Sequence, residues 1–365
     1  MGRSFKSLLP TLLLFTLPAM VQAHFDYTTN NGAITITAYN GPGGAVSIPG
    51  AIVVGGVSLP VTSIASSAFT GVGSLTNVTI PYGVTNIGGS AFSSCSNLVG
   101  VAIPSSATNI GSSAFASCSN LASVMIPINV TSIGSFAFSF CTSQTNVTIP
   151  DGVTRIENGL LYGCSSVTSA TIPNSVTNIG ASAFSGCTSL ASVTIGNSVS
   201  NIGDFAFSAC ASLSGVTIPN GVTNIGVQAF SSCSQLTNVT IPNTVVTIGS
   251  DAFINCIRLT EVVIPNSVSS IGDQTFQNCA GLTDVRVGNG ATSIGDFTFA
   301  SCTSLTNVTI GNRVTRIGSD AFSTCSRLTS VTLPNSVTNL GDYSFSSCTR
   351  LSRVVIPNSV ARIGK

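Results

Sequence analysis

Twelve cysteines carry the most reactive side chains of this sequence: Cys95, Cys118, Cys141, Cys164, Cys187, Cys210, Cys233, Cys256, Cys279, Cys302, Cys325 and Cys348. Thiols pair as disulfides, ligate zinc or attack as nucleophiles. Zinc needs clustered ligands such as C-x-x-C, and here every gap is 23 residues. Nucleophilic catalysis needs a partner base. The one histidine, His24, precedes all the cysteines, which excludes a multi-histidine metal site or a histidine-based triad in the body of the chain. Disulfides between neighbouring repeats are disfavoured by geometry. Equivalent residues of stacked coils point the same way, so their Cβ atoms would lie about 5 Å apart where a disulfide wants ~3.8 Å. The spacing predicts a ladder of buried free thiols, with cysteine acting as a small hydrophobe.

The carboxylates raise a second possibility. Asp204, Asp273, Asp296 and Asp342 occupy one position of the 23-residue register, six before each cysteine. Paired carboxylates can do acid–base work, and Asp273 and Asp296 on adjacent coils could approach a calcium ion. Calcium wants six or more oxygen ligands, and a simpler role explains all four. The same position holds Ser66, Ser112, Ser135, Asn158, Ser250 and Ser319, and Ser, Asn and Asp are the residues that cap a helix N-terminus. No nucleophile–base set and no metal set stands outside the repeat consensus, so the chain is read as a non-enzyme that needs no cofactor.

An array of stacked elements must position these residues, because one period of 23 runs through most of the chain. Three residues before each cysteine stands Phe, with Leu161 the one exception. Three after it comes Leu, then Val at +6 and Ile at +8, followed by Pro or Gly, as in Val193-Thr194-Ile195-Gly196. The alternation in L-x-x-V-x-I predicts a short strand with Val and Ile inward. The following V-T-x-I predicts a second short strand. Its Ile is followed by Gly, which permits a bend, and x-A-F-x-x-C then predicts one helical turn with Phe and Cys on a common face. Pairs such as Phe184 with Cys187 and Phe207 with Cys210 should close the core of each coil. A single coil cannot bury its apolar side chains, whereas stacked coils bury one another. About 13 coils at a strand spacing of ~4.8 Å make a solenoid body roughly 60 Å long.

Composition agrees. Of the 365 residues only 6% are charged, against roughly 25% in a typical soluble domain. That excludes a nucleic-acid binder, which needs a basic stripe, and a charged disordered tail. The first 23 residues read as an address: Arg3 and Lys6, an apolar run from Leu8 to Met20 broken by Pro10 and Pro18, then Val21-Gln22-Ala23. This is the pattern of a secretory signal peptide, too short for a membrane span, with cleavage expected after Ala23. The first cysteine is too distant for a lipoprotein signal. Removing Arg3 and Lys6 leaves 10 basic and 11 acidic residues, a net charge of −1. No later segment is a continuous apolar span, so no stable membrane span is expected after cleavage.

The segment Ile172-Pro173-Asn174-Ser175-Val176-Thr177-Asn178-Ile179-Gly180, with Ala183-Phe184-Ser185-Gly186-Cys187-Thr188-Ser189-Leu190 after it, closely resembles the BspA-type leucine-rich repeat. The resemblance extends over residues 61–365. It implies a leucine-rich repeat solenoid and, more loosely, a secreted or surface-attached bacterial protein that acts as an adhesin. The repeat around Cys164 departs from the pattern. Gln144 and Val167 stand in Leu positions, Glu157 in a Gly position, Leu160 and Leu161 in the Ala-Phe positions, and Ala170 in a Val position. It is expected still to stack, with an altered bend. Residues 24–60 read as an N-terminal cap. Tyr27–Thr29 and Ala33–Tyr39 form a hairpin on Asn30-Asn31-Gly32, and Val46-Ser47-Ile48-Pro49 is a first copy of the strand, followed by a nine-residue insertion near Gly50 to Leu59. The chain stops at Arg362-Ile363-Gly364-Lys365, inside a repeat and without a polar cap, so truncation or a frayed last coil is expected.

The candidate binding surface is the strand face. Residues at +5 and +7 point away from the core, among them Thr171, Thr194, Thr217, Asn238 and Thr240. This face is small, polar and neutral until Glu261, Asp284 and Arg286 interrupt it. That trio reads either as a surface ion-pair cluster or as a local recognition spot, and surface ion pairs are the commoner case. From Tyr27 to Pro150 there is no Asp, Glu, Lys or Arg, which suits self-association. The sequons opened by Asn77, Asn129, Asn146, Asn238 and Asn307 follow from the repeat and carry little weight. Two functions remain: a secreted or surface protein that binds an extracellular protein or glycan, or a structural spacer of a larger envelope or matrix protein.

Overall fold

The computed structural model describes residues 24–365, so the expected signal peptide lies outside the described residues. The chain is a β-solenoid of about 14 coils of about 23 residues. Strands β1 (Phe25–Asn30) and β2 (Ala33–Tyr39) pair antiparallel. Asn31 and Gly32 between them have φ of 48° and 77°, which the tight hairpin turn requires. The insertion near Gly50 is a second hairpin, β4 (Ala51–Val54) with β5 (Val57–Ile64). β5 also lies parallel to β2, and β3 (Gly44–Ser47) lies parallel to Leu75–Thr79. Phe25 is buried, and the Tyr39 ring stacks on Phe69 at 5.1 Å, so the first hairpin covers the first phenylalanine of the array.

From Leu75 onward each coil contributes two short parallel strands. The V-x-I strands run parallel along one side as four successive sheets, which break after Ile195, Thr240 and Thr309, and within each the register is kept: Asn146 opposite Ser169, Ser169 opposite Ser192, Thr171 opposite Thr194. The second side follows x-I, as in Asn178–Ile179 beside Asn201–Ile202. Its asparagines close an amide ladder: Asn201 Nδ2 donates to Asn178 Oδ1 at 2.8 Å, and Asn224 Nδ2 to Asn201 Oδ1 at 2.8 Å. Gly203 stands between the second strand and the third side. A Cβ there would approach the Gly180 carbonyl carbon to 2.8 Å, so coil spacing selects glycine.

The third side corrects the sequence reading. It contains no helical turn. The segment is a run of tight turns, with Ala91 N donating to the Gly88 carbonyl (3.3 Å), Ser93 N to Ser90 (3.0 Å) and Cys95 N to Phe92 (3.3 Å). The intervening amides leave the coil: Ser90, Phe92 and Ser94 donate to the carbonyls of Ser112, Ala114 and Ala116 at 2.7–2.8 Å. A helix would direct these amides along its own axis. The neighbouring coil offers a carbonyl at every second residue instead, so this side too becomes an inter-coil ladder. Two positions in each coil, five residues and one residue before the cysteine, lie in the left-handed region: Ser90 and Ser94 (φ 53° and 60°), Phe205 and Ala209 (58° and 57°). L-residues enter that region at a cost of roughly 1–2 kcal/mol. Both amides of each pair are the ones that bond the next coil, which offsets the cost.

The core is a set of parallel ladders. Phe184, Phe207, Phe230 and Phe253 are fully buried and stack at 5.1–5.3 Å with planes within 7°. Leu190, Leu213 and Leu236 form a second buried row.

Candidate functional site

Cys187 and Cys210 are fully buried beside Phe184 and Phe207, as their spacing predicts. All twelve cysteines are free thiols. Each thiol donates to the carbonyl of the phenylalanine position one coil back, as Cys210 Sγ does to Phe184 at 3.3 Å and Cys164 Sγ to Phe138 at 3.0 Å. Burial pushes the thiols up, Cys95 to about 11 and Cys118, Cys164, Cys233 and Cys302 to about 12. A thiol held protonated is a poor nucleophile and a poor metal ligand, so the row serves packing.

The aspartates are not helix caps, since the segment each one opens is a run of tight turns and not a helix. Their carboxylates bridge coils. Asp204 Oδ1 accepts from Val227 N at 2.8 Å, Asp273 Oδ1 from Asp296 N at 2.8 Å, Asp296 Oδ1 from Ser319 N at 2.9 Å and Asp342 Oδ1 from Lys365 N at 3.1 Å. Each satisfies the amide at its own position in the next coil. Asp296 also pairs with Arg316 at 2.7 Å. Among the described residues no cluster of His, Cys, Asp or Glu could hold a metal ion.

On the strand face, inward Val216 and Ile218 are buried and outward Thr217 is exposed, which is the alternation that aims the +5 and +7 rows outward. Thr171, Thr194, Thr217, Thr240 and Asn238 are exposed. The rows are in register across coils, Thr171 beside Thr194 and Thr217 beside Thr240. Glu261 lies beside Asp284, and Arg286 holds both, at 3.8 Å and 3.2 Å. Asn307 Nδ2 donates to Asp284 Oδ2 at 2.6 Å. The trio is therefore a self-satisfied surface cluster, worth about 1 kcal/mol or less.

A shallow depression of about 520 Å³ opens at the edge of this face, over three coils. Thr148, Thr171 and Thr194 line it together with Asp151, Asn174 and Asn197. The buried side chains Ile149, Ile172 and Ile195 lie beneath, with Pro173 and Gly196. Asn174 Oδ1 accepts from Asn197 N at 2.8 Å, a rung repeated by Asn266 with Asn289 and by Asn289 with Asn312. In each case the acceptor meets a coil whose Pro has become Gly: Gly196, Gly288 or Gly311. A Cβ on Gly196 would run into the Pro173 carbonyl, so glycine lets the coils close and completes the rung. Strand alternation points to Thr171 and Thr194 but not to Asp151, Asn174 or Asn197. The signal was there: this position is Asn in nine successive repeats from Asn174 to Asn358, and Asp151 is its one carboxylate.

The chain matches the family described as BspA type Leucine rich repeat region, in six copies over residues 57–168, 154–283 and 269–365. Among solved structures it is similar to a leucine-rich repeat protein of Bacteroides ovatus, at 33% identity over 93% of this chain and 89% of that one, with a TM-score of 0.86. A leucine rich cell surface protein of Faecalibacterium prausnitzii is 32% identical over 91% of this chain and 92% of that one, with a TM-score of 0.57. The pneumococcal vaccine antigen PcpA, at 20% identity, a TM-score of 0.53 and coverage of 94% and 97%, shares the fold. No curated protein matches the sequence. Among the described residues no helix is long and apolar enough to cross a membrane.

Proposed function

This chain belongs to the BspA-type leucine-rich repeat family, and from that premise we propose that it is an exported binding protein, secreted or held at the cell surface, that engages an extracellular protein or glycan through its strand face. One solved neighbour is a leucine rich cell surface protein and another a vaccine antigen, which supports a binding or adhesion role at the cell surface. The N-terminal pattern ending at Ala23 supports export, and the hairpin over Phe69 suits a cap on the first coil. One observation carries the choice of face: the outward +5 and +7 side chains make two in-register rows on adjacent coils, with almost no charge to compete with a ligand. Such a surface offers many weak hydrogen bonds, so affinity comes from area and multivalency, with little salt dependence.

The test compares two lysine triplets. Thr171→Lys, Thr194→Lys and Thr217→Lys together change the strand face. Ser185, Ser208 and Ser231 on the third side cannot serve as the control, because Ser231 is buried and the other two are half-buried. Thr177→Lys, Ser200→Lys and Thr223→Lys replace exposed residues that directly precede the second-side strands Asn178–Ile179, Asn201–Ile202 and Asn224–Ile225 on the same coils. In pull-downs from an extracellular protein and glycan fraction, the first triplet should abolish capture and the second should leave it intact. Equal loss from both, or none from the first, assigns binding to another face.

A further inference from the structure

We propose that the depression bounded by Asp151, Asn174 and Asn197 binds a neutral glycan, an extended hexose chain lying along the solenoid axis over Thr148, Thr171 and Thr194. This rests on the strand-face reading and supplies its ligand class. The lining chemistry selects the class. No basic side chain lines the depression, and the Asp151 carboxylate repels anions, so phosphate, sulfate and acidic sugars are disfavoured. A calcium ion would need six or more oxygens, and Asn174 Oδ1 is already engaged by Asn197 N. A strongly cationic ligand would be matched by more than one carboxylate. What remains is a carboxylate that only accepts, amides that both donate and accept, and three hydroxyls that do either. That set matches a ligand rich in hydroxyl groups and without net charge.

Spacing adds a second argument. The three threonines sit on adjacent strands in register, Thr148 opposite Thr171 and Thr171 opposite Thr194. Neighbouring strands lie about 4.8 Å apart, close to the advance per residue of an extended β-linked hexose chain. One sugar therefore meets one coil over Thr148, Thr171 and Thr194, and a further pair, Thr217 opposite Thr240, stands in register in the next sheet. Asp151 makes the depression unlike the rest of its row. Its exposed carboxylate stands where the later coils carry Asn, and Arg155, the nearest arginine in sequence, is paired with Glu157 at 3.8 Å. The carboxylate is free to accept hydrogen bonds from two vicinal hydroxyls.

The experiment is calorimetric titration of the chain with four neutral β-linked hexose tetramers, cellotetraose, β-1,4-mannotetraose, laminaritetraose and β-1,4-galactotetraose, at low and high salt. At least one should bind, with affinity little changed by salt. Asp151→Asn places in this coil the residue that nine others carry, so the fold is kept. It should weaken binding about tenfold through loss of a charge-assisted hydrogen bond. Thr171→Lys should abolish binding, and Thr309→Lys, remote on the same row, should leave it unchanged. If none of the four sugars binds, the glycan assignment fails, while the strand-face reading stands or falls on the lysine triplets. Binding that is lost with Thr309→Lys but indifferent to Asp151→Asn overturns the depression and keeps the face. Binding indifferent to both Asp151→Asn and Thr171→Lys overturns both.

Discussion

The irregular stretch from Phe136 to Val167 and the regular coils from Phe184 to Cys233 share one backbone and differ in what they pack. In the regular coils Phe184, Phe207 and Phe230 stack face to face. In the other, Leu161 interrupts the ring ladder between Phe138 and Phe184. Gln144 sits fully buried in a leucine position, with neither Nε2 nor Oε1 hydrogen-bonded. Outside, Phe136, Phe140 and Tyr162 form an exposed aromatic corner, with Phe140 and Tyr162 at 5.1 Å and near-perpendicular. Gly159 and Gly163 lie beneath those phenylalanine rings, where any Cβ would collide. The backbone ladders nonetheless continue: Phe138 N reaches the Leu160 carbonyl at 3.1 Å and Leu161 N the Ala183 carbonyl at 2.8 Å. Stacking here is held by amide ladders that ignore side-chain identity. The side chains then set how stable each interface is, as expected when each coil contacts only its neighbours.

Alkali is the largest perturbation and should strike both regions alike. The thiol of Cys164 in the irregular coil and that of Cys233 in a regular one are both raised from 9.0 to about 12 by burial. A group whose folded pKa is raised contributes its full stability below the unfolded value and loses it as pH climbs toward the folded one. Melting temperature should hold up to pH 9 and fall steeply between 9 and about 12. Thermal melts across that range check this, and a transition confined to the irregular coil would break the symmetry argued for the thiol ladder. In the same vein, thiol reagent should label few sites in the native chain, the half-buried Cys348 first, and about twelve after denaturation.

Phenylalanine truncation should separate the regions. Phe207→Ala removes a ring stacked on both sides and should cost roughly 3–5 kcal/mol. Phe184→Ala removes a ring with an aromatic neighbour on one side only, and should cost about 1 kcal/mol less. Hydrogen exchange should show the loss in the mutated coil and its neighbours first. A uniform loss over the whole chain would contradict nearest-neighbour stacking.

The smallest effect runs the other way. Gln144→Leu restores the consensus and removes two unsatisfied buried polar atoms, so it should stabilise the chain by about 1–3 kcal/mol, measured by denaturant melts. Destabilisation would mean that the amide has a partner in solution.

Much of the molecule was legible in the residues. Cysteine at an interval of 23 demanded stacking, because no other arrangement buries so regular a set of apolar side chains. Alternation in V-x-I identified which side chains face outward, and therefore Thr171, Thr194, Thr217 and Thr240, since the strand period of two admits only one assignment. The thiol ladder followed from parallel Cβ directions. Three things were decided only by the tertiary structure. Phe and Cys three apart fit a helical turn and a pair of successive tight turns equally well, and the carbonyls of the adjacent coil chose the latter by drawing out every second amide. Ser, Phe and Gln in the left-handed region carry no local signature, because glycine is the residue that marks it, and the bond to the next coil holds them there. The Asp151 depression joins three coils separated by 23 residues each, so its concavity exists only once they are stacked.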